Sequence, residues 1–499
     1  MNGCQKLKRY RNKEIVMYKH SPLLNVVIAN AQKHPTKTAI IMNDTEVTYG
    51  ELNKNVRKAA AVLNGMGIQK GDRIILSAHK DIEYIYLYLG AHILGLTNVI
   101  VDAESNEDRL SYIEKKVNPI CCFGYKSNSF PSKGFEELNL DVADEYVGES
   151  LDINENDIAE ILFTTGTTSA PKGVCLSYYN IYSSATNINE YIDNSEEDIE
   201  LLALPICHSF GMGRIRCNLI KGATIVILSN FANVRAFLKA FEKYHITGFG
   251  VVPAAWAYIR KMSGNRIAKY AEQVHYIEIG SAAMSVDSKK EMLQMFPNTR
   301  ICMHYGLTEA SRSCFQEFHD IQHLDSIGKA VCDKVEVIVC DSIGNEAAVG
   351  EKGEICVKGN MVMRHYLEDS DNCNAFYGDY FRTGDCGYKN EEGYIYLLGR
   401  EKELINVGGK KVSPMEVEDA IISLGVGDCV CVPKKDEEGI MGELVFCYIL
   451  KDSTTMTFQE ISEKLEDKLE IYKRPVAYEW IEQIPMTSSG KKQRIQIKK

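Results

Sequence analysis

The sequence predicts an α/β protein, with a large N-terminal region of layered, mostly parallel sheets and helices, a β subdomain, and a small α+β domain at the C-terminal end. Three observations carry that prediction. Short apolar runs, several ending in Gly or Pro, alternate with helix-period segments, which is the pattern of strands buried in a largely parallel sheet. From Val335 the texture changes to strands joined by Gly/Asn turns, as in an antiparallel subdomain. Near Arg400 a new unit opens with a hairpin followed by a capped helix.

Taken in order, Thr48-x-x-Glu51 is a capping box opening a helix with Leu52, Val56, Ala59 and Leu63 on one face, and Gly67 fits its stop. The uncharged run Tyr84–Val101 is interrupted by Gly90 and Gly95 and carries His92 and Asn98, so it reads as a buried helix feeding a buried strand. Strands are expected at Arg73–Ala78, Leu201–Pro205, Ala223–Leu228, Gly248–Pro253, Tyr276–Gly280 and Arg300–Tyr305. The later set is Val335–Cys340, Gly353–Gly359 and Tyr394–Leu398. Glu403–Val407 and Lys410–Val412 flank Gly408-Gly409, a hairpin turn that needs positive φ. Ser413, Pro414 and Glu416 then supply N-cap, N1 proline and N3 acid for a helix. Strands Cys429–Pro433 and Glu443–Leu450 and a helix Phe458–Glu470 complete the small domain.

The 499 residues carry 57 Lys+Arg against 68 Asp+Glu, a net charge of −11, with 45% hydrophobic and 25% charged residues. Disordered and collagen-like chains are excluded by that balance. The acidic excess argues against a dedicated nucleic-acid binder and against binding to anionic membranes. Sixteen cysteines show no framework spacing, and neither Cys121-Cys122 nor Cys429-x-Cys431 gives the repeat that tetrahedral zinc needs. The N-terminus is basic but has no apolar signal core. A cytoplasmic protein with free thiols and no stable membrane insertion is the expectation.

Chemistry concentrates in Phe163-Thr-Thr-Gly-Thr-Thr-Ser-Ala-Pro-Lys-Gly173. The hydroxyls of Thr164, Thr165, Thr167 and Thr168, the amide of Gly166 and the charge of Lys172 suit polyphosphate oxyanions, though the same composition also makes an ordinary surface turn. The Walker A spacing fails, because Lys172 follows Pro171 and precedes Gly173.

The loop resembles the phosphate-binding signature of the adenylate-forming superfamily, which includes acyl-CoA synthetases, firefly-type luciferases and peptide-synthetase adenylation domains. Further matches follow in family order: Leu204-Pro-Ile-Cys-His-Ser-Phe-Gly211, Tyr305-Gly-Leu-Thr-Glu309, Gly353-Glu-Ile-Cys-Val-Lys-Gly359, Arg382-Thr-Gly-Asp385, Gly399-Arg400 through Glu418, and Pro485-Met-Thr-Ser-Ser-Gly-Lys491. The likeness runs from about residue 20 to the end. It implies an N-terminal AMP-binding domain over 1–399, with the β subdomain from about 330, and a mobile lid domain over 400–499.

The implied reaction has two steps. A carboxylate attacks the α-phosphate of ATP and expels pyrophosphate; a thiol then attacks the acyl-adenylate and expels AMP. Mg²⁺ accompanies ATP, and the thiol is that of CoA or of a phosphopantetheinyl carrier protein. By the resemblance, Lys491 bridges carboxylate and α-phosphate, Glu309 binds Mg²⁺, and Thr308 bonds the α-phosphate. Asp385 takes the ribose hydroxyls and Arg400 the ribose or phosphate. Gly280, Ser281, Ala282, His304, Tyr305 and Gly306 wall the adenine. Lys402 is the hinge, and Gly408, Gly409 and Lys411 belong to the thiol tunnel. His208, Phe210, Trp256 and Met303 are assigned to the acyl pocket. That motif lacks the Asp with which amino-acid-activating domains hold an ammonium, so a fatty or aryl acid is favoured. Two departures stand out: Ser169 where the loop usually has Gly, and His365 where Met363-Arg-His-Tyr366 would have Gly.

Overall fold

The computed structural model describes residues 21–148, 153–164, 171–436, 441–486 and 492–497. Its first sheet has nine strands, and its central six are parallel: Arg300–Tyr305, Tyr276–Ile279, Gly248–Val251, Ile199–Leu202, Thr224–Ile227 and Thr38–Met42, in that order. The second sheet has seven strands, with Ile158–Phe163, Thr97–Val101, Arg73–Ser77, Cys121–Phe123 and Ser132–Lys133 parallel. Helices Pro22–Lys33, Tyr49–Gly65, Ile82–Leu94, Tyr178–Ile192 and Ser209–Lys221 share one apolar core with strands of both sheets. The first sheet's other face is covered by Val234–Tyr244, Pro253–Ser263 and Val286–Met295, and the second's by Glu107–Val117. This is a layered α/β/α/β/α arrangement in which both sheets are buried on both faces, as their uninterrupted apolar strands require.

Thr48 accepts from Glu51 N and the Glu51 carboxylate accepts from Thr48 N, closing the capping box. Gly95 is left-handed at φ 68° where the buried helix Ile82–Leu94 turns into Thr97–Val101. No helix among the described residues is long and apolar enough to cross a membrane. The five-stranded third sheet is antiparallel, built on Val335–Cys340, Gly353–Gly359, Phe376–Tyr377, Tyr380–Lys389 and Ile395–Arg400.

Several elements differ from the sequence reading: the strand expected at Leu201–Pro205 runs Ile199–Leu202, and the one expected at Glu403–Val407 runs Ile405–Val407 after a turn at Glu401–Glu403. The strand expected at Tyr394–Leu398 runs Ile395–Arg400, because its pairing with Tyr380–Lys389 continues to Asp385↔Arg400. The helix expected to reach Glu470 ends at Leu465. There the Arg474 guanidinium donates to the carbonyls of Glu466 and Leu469 at 2.9 and 2.8 Å, holding a non-helical turn ahead of Pro475. The last part of the chain has its own core, including Ile405, Val412, Val417, Cys447, Ile461 and Leu465. Gly408 and Gly409 have φ of 56° and 82°, the left-handed pair the hairpin Ile405–Val407/Lys410–Val412 needs.

Candidate active site

Parallel strands deliver their following loops to one edge, and in open α/β sheets that carboxyl edge is where ligands bind. Here the segments after Ile199–Leu202, Gly248–Val251, Tyr276–Ile279 and Arg300–Tyr305 are Pro205–Phe210, Pro253–Trp256, Gly280–Ala282 and Gly306–Glu309. The motifs of the sequence reading therefore converge because the topology brings their strand ends together.

The carboxylate Asp385 is 6% exposed, opposite Arg400 in the strand register. Arg400 Nε lies 2.7 Å from Asp385 Oδ1, and the Tyr305 hydroxyl donates to Oδ2 at 2.6 Å. Each carboxylate oxygen keeps a second lone pair, so both can still accept from a ligand. Burial, with Asp385 beside it, pushes the Tyr305 phenol well above its ordinary pKa, so it stays a donor. Arg400 also donates to the Thr383 carbonyl at 3.3 Å.

Glu309 is 8% exposed. Its Oε1 accepts from the Tyr366 hydroxyl at 2.8 Å, and its carbonyl accepts from Met363 N at 2.8 Å. Thr308 is half-buried beside it. The Tyr366 ring lies under Lys172, whose Nζ is 4.8 Å from the ring centroid and 3.1 Å from Asp371 Oδ1. Burial and then Glu309 raise the Tyr366 phenol, so it too remains a donor. Thr164 and Lys172 are joined by two hydrogen bonds, Thr164 N to Lys172 O (3.0 Å) and Lys172 N to Thr164 Oγ1 (3.2 Å). Thr165, Gly166, Thr167, Thr168 and Ser169 lie outside the described residues, as does Lys491. Lys491's chain neighbour Lys492 is clamped by Glu418 at 3.1 Å and Asp428 at 2.8 Å, and Gln493 N returns to Pro485 O at 2.8 Å.

The strand Arg300–Tyr305 alternates its side chains, so His304 faces away from Tyr305. Its ring packs edge-on to Phe210, with centroids 4.7 Å apart, and its Nδ1 lies 2.7 Å from Glu278 Oε1. The structure thus sets His304 beside a residue of the acyl motif. Gly280 makes room for it: a Cβ there would sit 2.0 Å from the imidazole. Ser281 follows at φ 73°, a conformation costly for a residue with a side chain.

Underneath runs a buried charge network. Glu278 also meets Arg312 Nε at 3.0 Å and Arg214 Nη1 at 3.1 Å, and Arg214 Nε donates to Glu200 at 2.7 Å. Burial alone would raise Glu278, but Arg312, His304 and Arg214 outweigh it and hold the carboxyl well below its usual range. Arg312 also donates to the carbonyls of Ser209 and Phe210 at 2.8 and 3.2 Å, fixing the turn of the acyl motif.

His208 lines a separate cavity of about 250 Å³ with Asp102, Asn106, Arg109, Phe163 and Cys207. Its walls are strand ends of the second sheet and the turn after Ile199–Leu202. Trp256 lies apart from this group: it is 3% exposed in the core against Phe296, with Met303 packed on the same cluster. Its buried position on the outer helix Pro253–Ser263 accounts for that. Lys402 is exposed in the turn Glu401–Glu403 between the third sheet and the terminal hairpin, where Lys411 Nζ meets Glu401 at 3.2 Å. Neither Gly408–Gly409 nor Lys411 makes a described hydrogen bond to the strand-end residues. His365 is exposed on the edge strand His365–Tyr366 and has negative φ, so no glycine is needed there.

Tyr366, Asp371, Glu278 and Arg312 are site residues the sequence reading did not single out. Tyr366 stood at the end of Met363-Arg-His-Tyr366, and Arg312 three residues beyond Glu309, but only pairing across the fold reveals their partners.

The profile of AMP-binding enzymes matches residues 27–367, and that of the AMP-binding enzyme C-terminal domain matches 416–491. The chain is 26% identical over 516 residues to 4-coumarate–CoA ligase 2 of Nicotiana tabacum, covering 96% of this chain and 94% of that one. The corresponding figures for 4-coumarate–CoA ligase 1 of Petroselinum crispum are 27% over 521 residues, 96% and 94%. Among solved structures, o-succinylbenzoate CoA synthetase from Bacillus subtilis, in complex with its acyl-adenylate intermediate, superposes with a TM-score of 0.85 at 25% identity, covering 95% and 98% of the two chains. ATP-bound MatB from Rhodopseudomonas palustris shares the fold, with a TM-score of 0.88 at 23% identity over 96% and 98%. This chain belongs to the AMP-binding enzyme family.

Proposed function

We propose that this protein is an AMP-forming acid–thiol ligase that joins a carboxylic acid to CoA through an acyl-adenylate. The observation that carries the reading is the meeting of two carboxylate clusters at the strand edge, Asp385 with Arg400 and Tyr305, and Glu309 with Tyr366 and Lys172. The first has the acceptors for a ribose and the second has a cation and an oxygen donor for phosphates.

Each residue has a definable task. Asp385 accepts from the ribose hydroxyls while Arg400 and Tyr305 hold its plane. Lys172, together with the threonine-rich loop outside the described residues, meets the phosphates. Lys491, outside the described residues, neutralises the acid and α-phosphate as the two anions approach. Attack of the acid's carboxylate oxygen on the α-phosphorus breaks the bond to the β-phosphate oxygen, and pyrophosphate leaves. The thiol sulfur then attacks the acyl carbon, loses its proton to solvent or base, and AMP leaves. The donor set fits Mg²⁺ at Glu309: a hard carboxylate with Oε1 held by Tyr366 and Oε2 without a hydrogen bond to a described residue. Bound there, the ion neutralises phosphate charge.

We place the domain junction at 399/400, with Lys402 as the hinge, supported by the separate core of the terminal part. The substrate is placed as an uncharged fatty or aryl acid, since no carboxylate stands in Cys207-His208-Ser209-Phe210. A phosphopantetheinyl carrier protein is the alternative acceptor. The fifteen described cysteines are free, which supports a reducing cytoplasm. The test is pyrophosphate release over a panel of fatty, aryl and amino acids, with CoA, a pantetheinylated carrier, or neither. Acid-dependent release and a CoA thioester are expected; silence across the panel would overturn the reading.

A further inference from the structure

The terminal part of the chain carries a buried cluster of charges that the mechanism above does not use. Its centre is Glu418, 4% exposed on the helix Pro414–Ile422. Both of its carboxylate oxygens accept from Arg494 Nη2 at 2.9 Å; Oε1 also accepts from Cys431 N at 2.8 Å, and Oε2 from Lys492 Nζ at 3.1 Å. Lys492 goes on to Asp428 Oδ1 at 2.8 Å and to the Cys429 carbonyl. Arg494, itself buried, reaches with Nη1 to Glu403 Oε2 at 2.9 Å, in the turn Glu401–Glu403 that holds Lys402. One carboxylate thus ties together a helix, the strand Cys429–Lys435, the turn at the proposed hinge and the segment 492–497. Stability alone does not account for that arrangement, because exchanging a buried ion network for apolar side chains is often neutral or stabilising. What charged hydrogen bonds add is direction, and hence a fixed register between the segments they join. The stretch so fixed adjoins Lys491. Lys492 follows it directly and pairs with Met486, and Gln493 N donates to Pro485 O at 2.8 Å, so the chain is held on both sides of residues 487–491.

We propose that Glu418 is a positioning residue for adenylation: by gathering Arg494 and Lys492 it anchors the flank of Lys491 to the terminal domain. This inference rests on the ligase reading, in which Lys491 meets the acid and the α-phosphate. A long cationic side chain on a loose segment loses much conformational freedom each time it engages; anchoring its neighbours removes part of that cost beforehand. When the terminal domain turns about Lys402, the link from Arg494 to Glu403 turns with it. The lysine is then delivered for the first half-reaction and withdrawn for the second. Glu418, Arg494 and Lys492 make no described hydrogen bond to Asp385, Arg400 or Glu309, so they act on phosphoryl attack and not on the grip on ATP.

The test compares wild-type protein with Glu418→Gln in the two half-reactions, using an acid that the wild type turns over. These are acid-dependent ATP–pyrophosphate exchange, and thioester formation from supplied acyl-adenylate and CoA. The kcat of exchange should fall by about 10- to 100-fold, the scale of a small misplacement of a catalytic group, with KM for ATP within about twofold. Thioester formation should change by less than about threefold. Hydrogen exchange reads the segment itself: the peptide covering 492–497 should exchange at least about tenfold faster in the variant, while the helix Phe458–Leu465 keeps its wild-type protection. If Glu418→Gln does not fold, Arg494→Lys, which keeps the charge and loses the guanidinium's reach to two carboxylates, carries the same comparison. Equal losses in both half-reactions, a loss confined to KM, unchanged exchange of pyrophosphate, or faster hydrogen exchange throughout the terminal domain would overturn the positioning role and leave the ligase reading standing. Silence of the wild-type protein with every acid would overturn the ligase reading and this inference with it.

Discussion

Tyr366→Phe removes one oxygen and leaves the rest of the site in place. The ring stays under Lys172, so the contact at 4.8 Å is retained, and the pairing of His365–Tyr366 with Gly173–Ser177 is a backbone matter. What goes is the donor 2.8 Å from Glu309 Oε1, in a spot where Glu309 is only 8% exposed and water cannot readily substitute. A hydrogen bond to a charged group contributes about 1.5–3 kcal/mol. If that bond holds Glu309 in the orientation adenylation needs, the whole amount falls on the transition state, about 10- to 150-fold in kcat/KM for ATP. The assay is acid-dependent ATP–pyrophosphate exchange, run beside thioester formation from supplied acyl-adenylate and CoA, a half-reaction with no polyphosphate to position. Exchange should fall by that factor and thioester formation should change by less than about threefold. Equal losses in both halves, or unchanged exchange with the fold intact, would refute the positioning role of Tyr366.

Asp385→Asn removes the charge that Arg400 meets at 2.7 Å and one acceptor facing the ribose, so KM for ATP should rise by about tenfold or more while KM for the acid stays put, as steady-state kinetics would show. Lys491→Ala should abolish pyrophosphate exchange and spare thioester formation from supplied acyl-adenylate; loss in both would remove Lys491 from the first half-reaction. His92 is fully buried, and burial, with Arg216 nearby, depresses its pKa from 6.5 to about 3. The unfolded chain therefore binds the extra proton first, so stability present above pH 6.5 is lost as pH falls toward 3, by about 3 kcal/mol at pH 4.5. Urea denaturation at pH 7 and 4.5 should show that loss in wild type and a flatter dependence in His92→Leu.

The layered fold was legible because its strands are short apolar runs with punctuated ends, and Thr48, Gly95 and Gly408-Gly409 announce their turns locally. The chemistry was legible through motifs, since Asp385, Arg400, Glu309 and Lys172 each stand in a recognisable stretch. What could not be read is pairing at a distance. Nothing local says that Tyr366 bonds a carboxylate 57 positions away, or that Glu278, in the ordinary-looking strand Tyr276–Ile279, gathers Arg214, His304 and Arg312. Trp256 shows the reverse: an aromatic after a proline at a strand end looks like a pocket wall, but its helix turns that face to the core. The strand to Arg400 ran past its expected end because antiparallel pairing with Asp385, rather than the apolar pattern, sets its length.

In the proposed reaction the acid's own oxygen attacks the α-phosphorus of ATP. The most direct test supplies a turned-over acid with both carboxylate oxygens labelled with oxygen-18, together with ATP and CoA, and weighs the products. One labelled oxygen is expected in AMP, none in pyrophosphate, and the other in the thioester. ADP with labelled inorganic phosphate, or AMP without label, would contradict it.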